Sequence, residues 1–181
     1  MRPLDMPRHA ARAATQGLAV LFCSAVLTSA PVLAQPTSPD WQEASVPAPP
    51  PIRLTGLANF DVASNSTMRF GLDPQSLNIG KDGIVRYVVV AVSESGVVNA
   101  MYETVRCDTY QVKTFARASG PAAEVAWRTV QSPEWRAIDP RGSQRYAFQL
   151  ARQGLCQGRA PATNLEQVLR GLKGLSGEHG N

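Results

Sequence analysis

The feature that most constrains this chain is the run Ile84-Val85-Arg86-Tyr87-Val88-Val89-Val90, which continues to Val92 and is bounded by Asp82-Gly83 and Ser95-Gly96. Residues branched at Cβ, with one aromatic among them, favour a pleated strand, and the flanking pairs are turn formers. A second apolar stretch, Val97 to Val105, follows at once and lacks helical periodicity. Two strands of similar length joined by so short a link must lie antiparallel and adjacent. Thr67 to Leu72 and Ser76 to Ile79 precede this pair. Asp108 to Arg117 follows it, with Tyr110, Val112, Thr114 and Ala116 alternating against polar neighbours. The pattern predicts an antiparallel meander. Beyond Pro121, Val125 to Val130 and Glu134 to Ile138 read as short strands or as a loop carrying Trp127 and Trp135.

The pattern then changes to helix. Ser143 stands as an N-cap before Gln144 to Gln153, where Tyr146, Ala147, Leu150 and Ala151 form one face and Gly154 marks the stop. A second helix starts at Thr163 with Glu166 completing a capping box. It carries Leu165, Val168, Leu169 and Leu172 on one stripe, and Gly174 is expected to end it. That stripe suits packing on the parent domain better than docking on a partner. The fold class expected is α+β: a single antiparallel β-rich domain with one or two C-terminal helices.

The first thirty-four residues read as a secretory leader: Arg2, Arg8 and Arg12, an apolar run from Leu18 to Leu27, and Val32-Leu33-Ala34 ahead of Gln35. The leader has no Arg-Arg pair, so the general secretory route is expected. Cys23 has Phe22 where a lipobox needs a small residue, and it lies within the apolar run, so cleavage after Ala34 is expected rather than lipidation. Loss of three arginines and Asp5 with the leader takes the formal net charge from +4 to +2, too mild to argue for nucleic acid. Residues 35–55 shift to Pro, Ala, Ser and Thr and read as a tether of polyproline character, on which Trp41 either docks to the domain or is idle. A β-rich domain over 56–160 and a C-terminal helix with a disordered tail over 161–181 complete the layout. No transmembrane helix is expected in the mature chain, and the compartment expected is the periplasm or cell envelope.

Export also sets the reading of the cysteines. With Cys23 removed, Cys107 and Cys156 remain in an oxidising compartment and are expected to form a disulfide that ties the first helix to the strand ending near Cys107. A two-cysteine redox site would use closer spacing. His179, in the tail, is the one histidine of the mature chain. A Ser-His-Asp triad, a Cys-His pair or a histidine-rich metal site in the folded region is therefore ruled out. No catalytic residue, metal or cofactor is assigned.

Candidate binding residues are Asp82, Arg86, Tyr102, Glu103, Arg106, Trp127 and Trp135. Neighbouring strands could bring Arg86, Glu103 and Arg106 together, as a structural ion pair or as a ligand-binding arginine. Glu103 and Arg106 point to opposite faces of their strand, so one face cannot hold both without a bulge. Asp73, Asp82, Glu94, Glu103 and Asp108 leave carboxylate-dependent hydrolysis open, although their spacing shows no converging pair. The aromatic residues are spread as core and rim residues are.

Asp82-Gly83-Ile84-Val85-Arg86-Tyr87, then Ser95-Gly96 with Asn99, Tyr102-Glu103 and Arg106-Cys107, with Trp127, Trp135 and Cys156 downstream, resemble the cryptic neisserial protein 1-like family of exported bacterial proteins. The resemblance spans about Asp40 to Cys156. It departs at Thr104, where glycine is expected, and in the longer, more charged tail. It implies export, one compact domain and a cysteine pair, and implies no substrate. The function expected is a non-enzymatic interaction or accessory module that meets an unknown envelope protein or ligand. The alternatives are a small-molecule binder near Arg86 and Glu103, or a carboxylate-dependent hydrolase.

Overall fold

The computed structural model describes residues 41–63 and 65–176, with side chains described through residue 173. The expected leader, Cys23 and the tail with His179 lie outside the described residues. The chain forms β1 (Ala58–Phe60), β2 (Met68–Leu72), a 3-10 turn (Pro74–Ser76), β3 (Asn78–Ile79), β4 (Ile84–Ser93), β5 (Val97–Arg106), β6 (Gln111–Pro121), β7 (Arg128–Thr129) and β8 (Arg136–Ala137). Then come α1 (Arg145–Leu150), a π-helical turn (Ala151–Leu155), β9 (Cys156–Gln157), β10 (Ala160–Pro161) and α2 (Leu165–Ser176).

Among the described residues one antiparallel sheet runs β1-β2-β4-β5-β6-β7, with β3 also on β4 and β8 also on β6. The β-branched run is its centre. Val85 faces Val105, Tyr87 faces Glu103 and Val89 faces Met101 across β4 and β5. The β5–β6 register slips between Tyr102 and Glu103, so that Phe115 is the extra residue of a bulge on β6. The expected fold class is what is found: α+β, mostly antiparallel sheet with two short helices after it.

Alternation gives the sheet two apolar faces, as a sheet covered on both sides requires. One carries Leu72, Val85, Tyr87, Val89, Met101, Val105 and Val112, packed against Tyr146, Leu150, Leu155, Val168 and Leu172 of the helical layer. The other carries Val88, Val90, Val98, Ala100, Tyr102, Ala116 and Ala118, packed against Val46, Ile52, Leu57, Phe115, Val125 and Trp127. Cys107 and Cys156 are bonded, with Cα atoms 5.6 Å apart, and lock the end of β5 to the start of β9. No helix among the described residues is long and apolar enough to cross a membrane.

The helix ends differ from expectation. Gln144, not Ser143, precedes α1, and its side chain makes no capping bond. Gly154 does not stop the helical path; the chain winds on through the π turn to Cys156. Gly154 serves a close approach instead, since a Cβ there would sit 2.9 Å from the Val168 carbonyl oxygen. The cap of α2 is shifted by one residue: the Asn164 side chain accepts from the Gln167 N–H, and the Gln167 side chain accepts from the Thr163 N–H. The helix also runs through Gly174 to Ser176, since an interior glycine costs only about 1 kcal/mol.

Candidate functional site

The segment expected to be a tether lies along the second sheet face as a strap. Residues 41–55 have no regular secondary structure, but Glu43, Val46, Pro49 and Ile52, spaced by three, are half-buried, with Pro50 and Arg53 beside the last two, and Gln42, Ala44, Ser45, Pro47, Ala48 and Pro51 are exposed. Three residues per turn is the polyproline II repeat, and a chain rich in proline is already biased to it. The composition that read as a spacer thus gives the segment one inward-facing row.

Polar contacts pin both ends of this row. The Ala44 N–H donates to Asp82 Oδ2 at 3.1 Å, and the Ala44 carbonyl accepts from Arg86 Nη2 at 3.2 Å. Trp41 Nε1 donates to the Asp82 carbonyl at 2.8 Å, and Lys113 pairs with Glu43. At the other end Trp127 Nε1 donates to the Pro50 carbonyl at 2.7 Å, and Arg53 pairs with Asp73 at 3.0 Å. Between these, Ser45 to Pro49 arch over a cavity of about 360 Å3 whose lining includes Tyr102, Arg86, Asp82, Asn78 and Gln75.

Arg86 and Asp82 form the rigid part of the site. Their side chains meet at 2.6 Å and both are almost fully buried. The bond from Arg86 lowers the Asp82 carboxyl to about 2, so the pair stays ionised at any physiological pH. Gly80 makes room for it, because a Cβ there would come within 2.1 Å of Asp82 Oδ1. Farther along the same face the Arg106 guanidinium lies 4.0 Å from the centre of the Trp41 ring and 5.8 Å from that of Trp135, with Lys113 4.5 Å from Trp135. These ring contacts add to the carboxylate partners of the two cations, Asp108 for Arg106 and Glu43 for Lys113.

Six of the seven candidate residues, Asp82, Arg86, Tyr102, Arg106, Trp127 and Trp135, therefore fall on the strapped face. Glu103 does not. It is fully buried on the helical face, where it accepts from Tyr146 Oη at 2.7 Å, Thr114 Oγ1 at 2.8 Å and Tyr87 Oη at 3.2 Å. Arg86 is opposite Thr104, and Tyr87 opposite Glu103, so Arg86 and Glu103 cannot line one pocket. The bulge lies on β6 and leaves Glu103 and Arg106 on opposite faces. The ion pair weighed for Arg86 exists, but with Asp82 in the preceding turn rather than with a neighbouring strand. Two of the other acids have structural partners as well: Asp73 holds Arg53 and the Gln75 N–H, and Asp108 holds Arg106.

Sequence reasoning passed over Lys113, left Trp41 undecided and did not see the strap as a ligand of the sheet. The signal was present in Glu43, Val46, Pro49 and Ile52, whose spacing of three is meaningful once a polyproline II conformation is assumed.

Residues 36–173 match the model of the CNP1-like family. The chain belongs to this family. Family membership and the Cys107–Cys156 bridge together suggest an exported protein. The matched range begins ahead of Trp41 and therefore includes the strap segment. Among solved structures the chain is similar to protein E from non-typeable Haemophilus influenzae, at 13% identity and a TM-score of 0.43, covering 73% of this chain and 97% of that one. Among curated proteins nothing matches.

Proposed function

We propose that this CNP1-like protein is an exported, non-enzymatic accessory protein of the bacterial envelope, and that the strapped sheet face is its recognition surface. The observation that carries this reading is that the face already holds a peptide segment by its backbone: Arg86 and Asp82 take both polar groups of Ala44, and Trp127 takes the carbonyl of Pro50. Paired backbone contacts combined with apolar contacts at a fixed spacing are how sheet and groove modules read extended chains. Export through the leader at residues 1–34 would place that face in the periplasm, where the disulfide is kept.

The test is site-specific photo-crosslinking in the cell. A photo-reactive residue in place of Ser45, on the strap, should give reproducible adducts with an envelope partner. The same residue in place of Lys173, on α2, should not. Absence of any reproducible adduct from position 45, or equal adducts from both positions, would contradict the proposal.

A second reading has one observation in its favour. The Tyr102 hydroxyl, in the lining of the cavity under the strap, has no hydrogen-bond partner among the described residues, and about 360 Å3 is within the range of small-ligand sites. A small molecule under the arch would bind through Tyr102, Asn78 and Gln75, without Glu103.

A further inference from the structure

We infer that the strap is a built-in competitor, and that the face beneath it takes a proline-rich peptide of another protein in the same polyproline II register. This rests on the recognition role proposed for that face and names the ligand class.

Three observations carry it. First, the floor is built by the sheet itself. It is formed by β4, β5 and β6, the three longest strands, whose backbone groups bond within the sheet, and Arg86 has Asp82 as a partner besides Ala44. Second, between its polar anchors the strap is held by apolar packing alone. Among the described residues Ser45 to Pro49 make no hydrogen bond, Val46 packs on the apolar face, and Ser45, Pro47 and Ala48 border the cavity. A segment attached in this way can be displaced from its centre without breaking the sheet. Third, the contacts define a ligand rather than a generic apolar surface. The first anchor must be a residue other than proline, because its N–H donates to Asp82. Inward positions then follow every third residue, at the places of Val46, Pro49 and Ile52. A carbonyl six residues after the first anchor must reach Trp127. Pre-formed polyproline II segments meet these conditions at little entropic cost, and aromatic grooves elsewhere select them for that reason.

The strap enjoys a large advantage over any such peptide, because a short covalent link gives it an effective concentration of the order of millimolar. Binding in trans should therefore be weak in the native chain and strong once the strap is loosened. The probe is a fluorescent peptide of the strap sequence, Trp41 to Arg53, titrated into the leaderless chain and followed by anisotropy. A Val46→Gly/Pro49→Gly chain, which loses two inward residues and the stiffness of one proline, should bind the peptide at least roughly tenfold more tightly than the native chain, as expected when a cis competitor is weakened. Adding Trp127→Phe to that variant should weaken binding roughly five- to tenfold, the scale of one lost hydrogen bond. In the otherwise native chain, a dye on Ala48→Cys should gain mobility as unlabelled peptide is added, which tests displacement even if the loosened variant folds poorly. Absence of peptide binding together with an unchanged dye signal would overturn the inference, and so would binding indifferent to Trp127→Phe. If adducts at position 45 persisted in the cell under either result, the recognition role would stand and the ligand class would be wrong.

Discussion

Glu103 is the residue whose chemistry is set most completely by its surroundings. Burial raises its carboxyl above the ordinary range, against the pull of the Tyr146, Thr114 and Tyr87 hydroxyls and the Arg117 charge. Tyr87 and Tyr146 are raised in turn, first by burial and then by the Glu103 charge. Because the folded-state value of Glu103 is the higher one, the native state holds this proton more tightly than the unfolded chain does. Its contribution to stability is full below the usual carboxyl range and is lost as the pH rises through the raised value. The thermal midpoint should carry a component that falls with rising pH, and Glu103→Gln should flatten that component in melts followed from pH 4 to pH 8. Glu103→Ala would leave three hydroxyls without their acceptor. At about 1–3 kcal/mol for each buried group left unsatisfied, urea unfolding should show a loss of ~3 kcal/mol or more.

At the scale of elements, α2 is held by an approach so close that it admits no side chain. A Cβ on Gly171 would meet the Gln153 carbonyl oxygen at 2.0 Å, and the Cα of Gly154 lies just beyond. Gly171→Ala must therefore push α2 off the π turn, and a fall in stability of about 1–3 kcal/mol is expected from the overpacking, measured by urea denaturation. This contact also marks the limit of what the sequence could disclose. β4 and β5 were legible to within a residue, because a long β-branched run between turn glycines has few other outcomes. The three-residue β1 was not, since it is fixed by its pairing with β2; the 3-10 turn at Pro74 and the one-residue shift of the α2 cap were not either, since neighbouring polar residues offer more than one local cap and the chosen one rests on side-chain geometry. Tyr146 could be placed on the inner face of a helix, but its bond to Glu103 spans 43 residues and has no local signature. The candidate residues were found individually; their division between two faces required the register, since Arg86 and Glu103 lie on different strands and only the pairing of Arg86 with Thr104 separates them.

For the whole molecule, the disulfide and the strap fasten the two sides of one sheet by different means. The bridge closes a span of 49 residues, for which the chain-entropy model gives ~4 kcal/mol. The Cys107→Ala/Cys156→Ala chain should show its urea midpoint lowered by an equivalent amount, with α1 and α2 the first elements to lose protection in hydrogen exchange. The strap is secured by noncovalent contacts alone, and the proposed function depends on its being seated rather than trailing. The three tryptophans report this directly. The Trp127 and Trp41 indoles donate to Pro50 and Asp82 carbonyls, whereas Trp135 lies against Arg106 and Lys113 with no hydrogen bond among the described residues. The decisive measurement is solvent exchange of the indole N–H protons by NMR on the leaderless chain. A seated strap predicts slow exchange at Trp127, intermediate exchange at Trp41 and fast exchange at Trp135, with the first two accelerated by Val46→Gly/Pro49→Gly. Uniformly fast exchange at all three indoles, unchanged by that substitution, would show the segment to be a tether and would contradict the account.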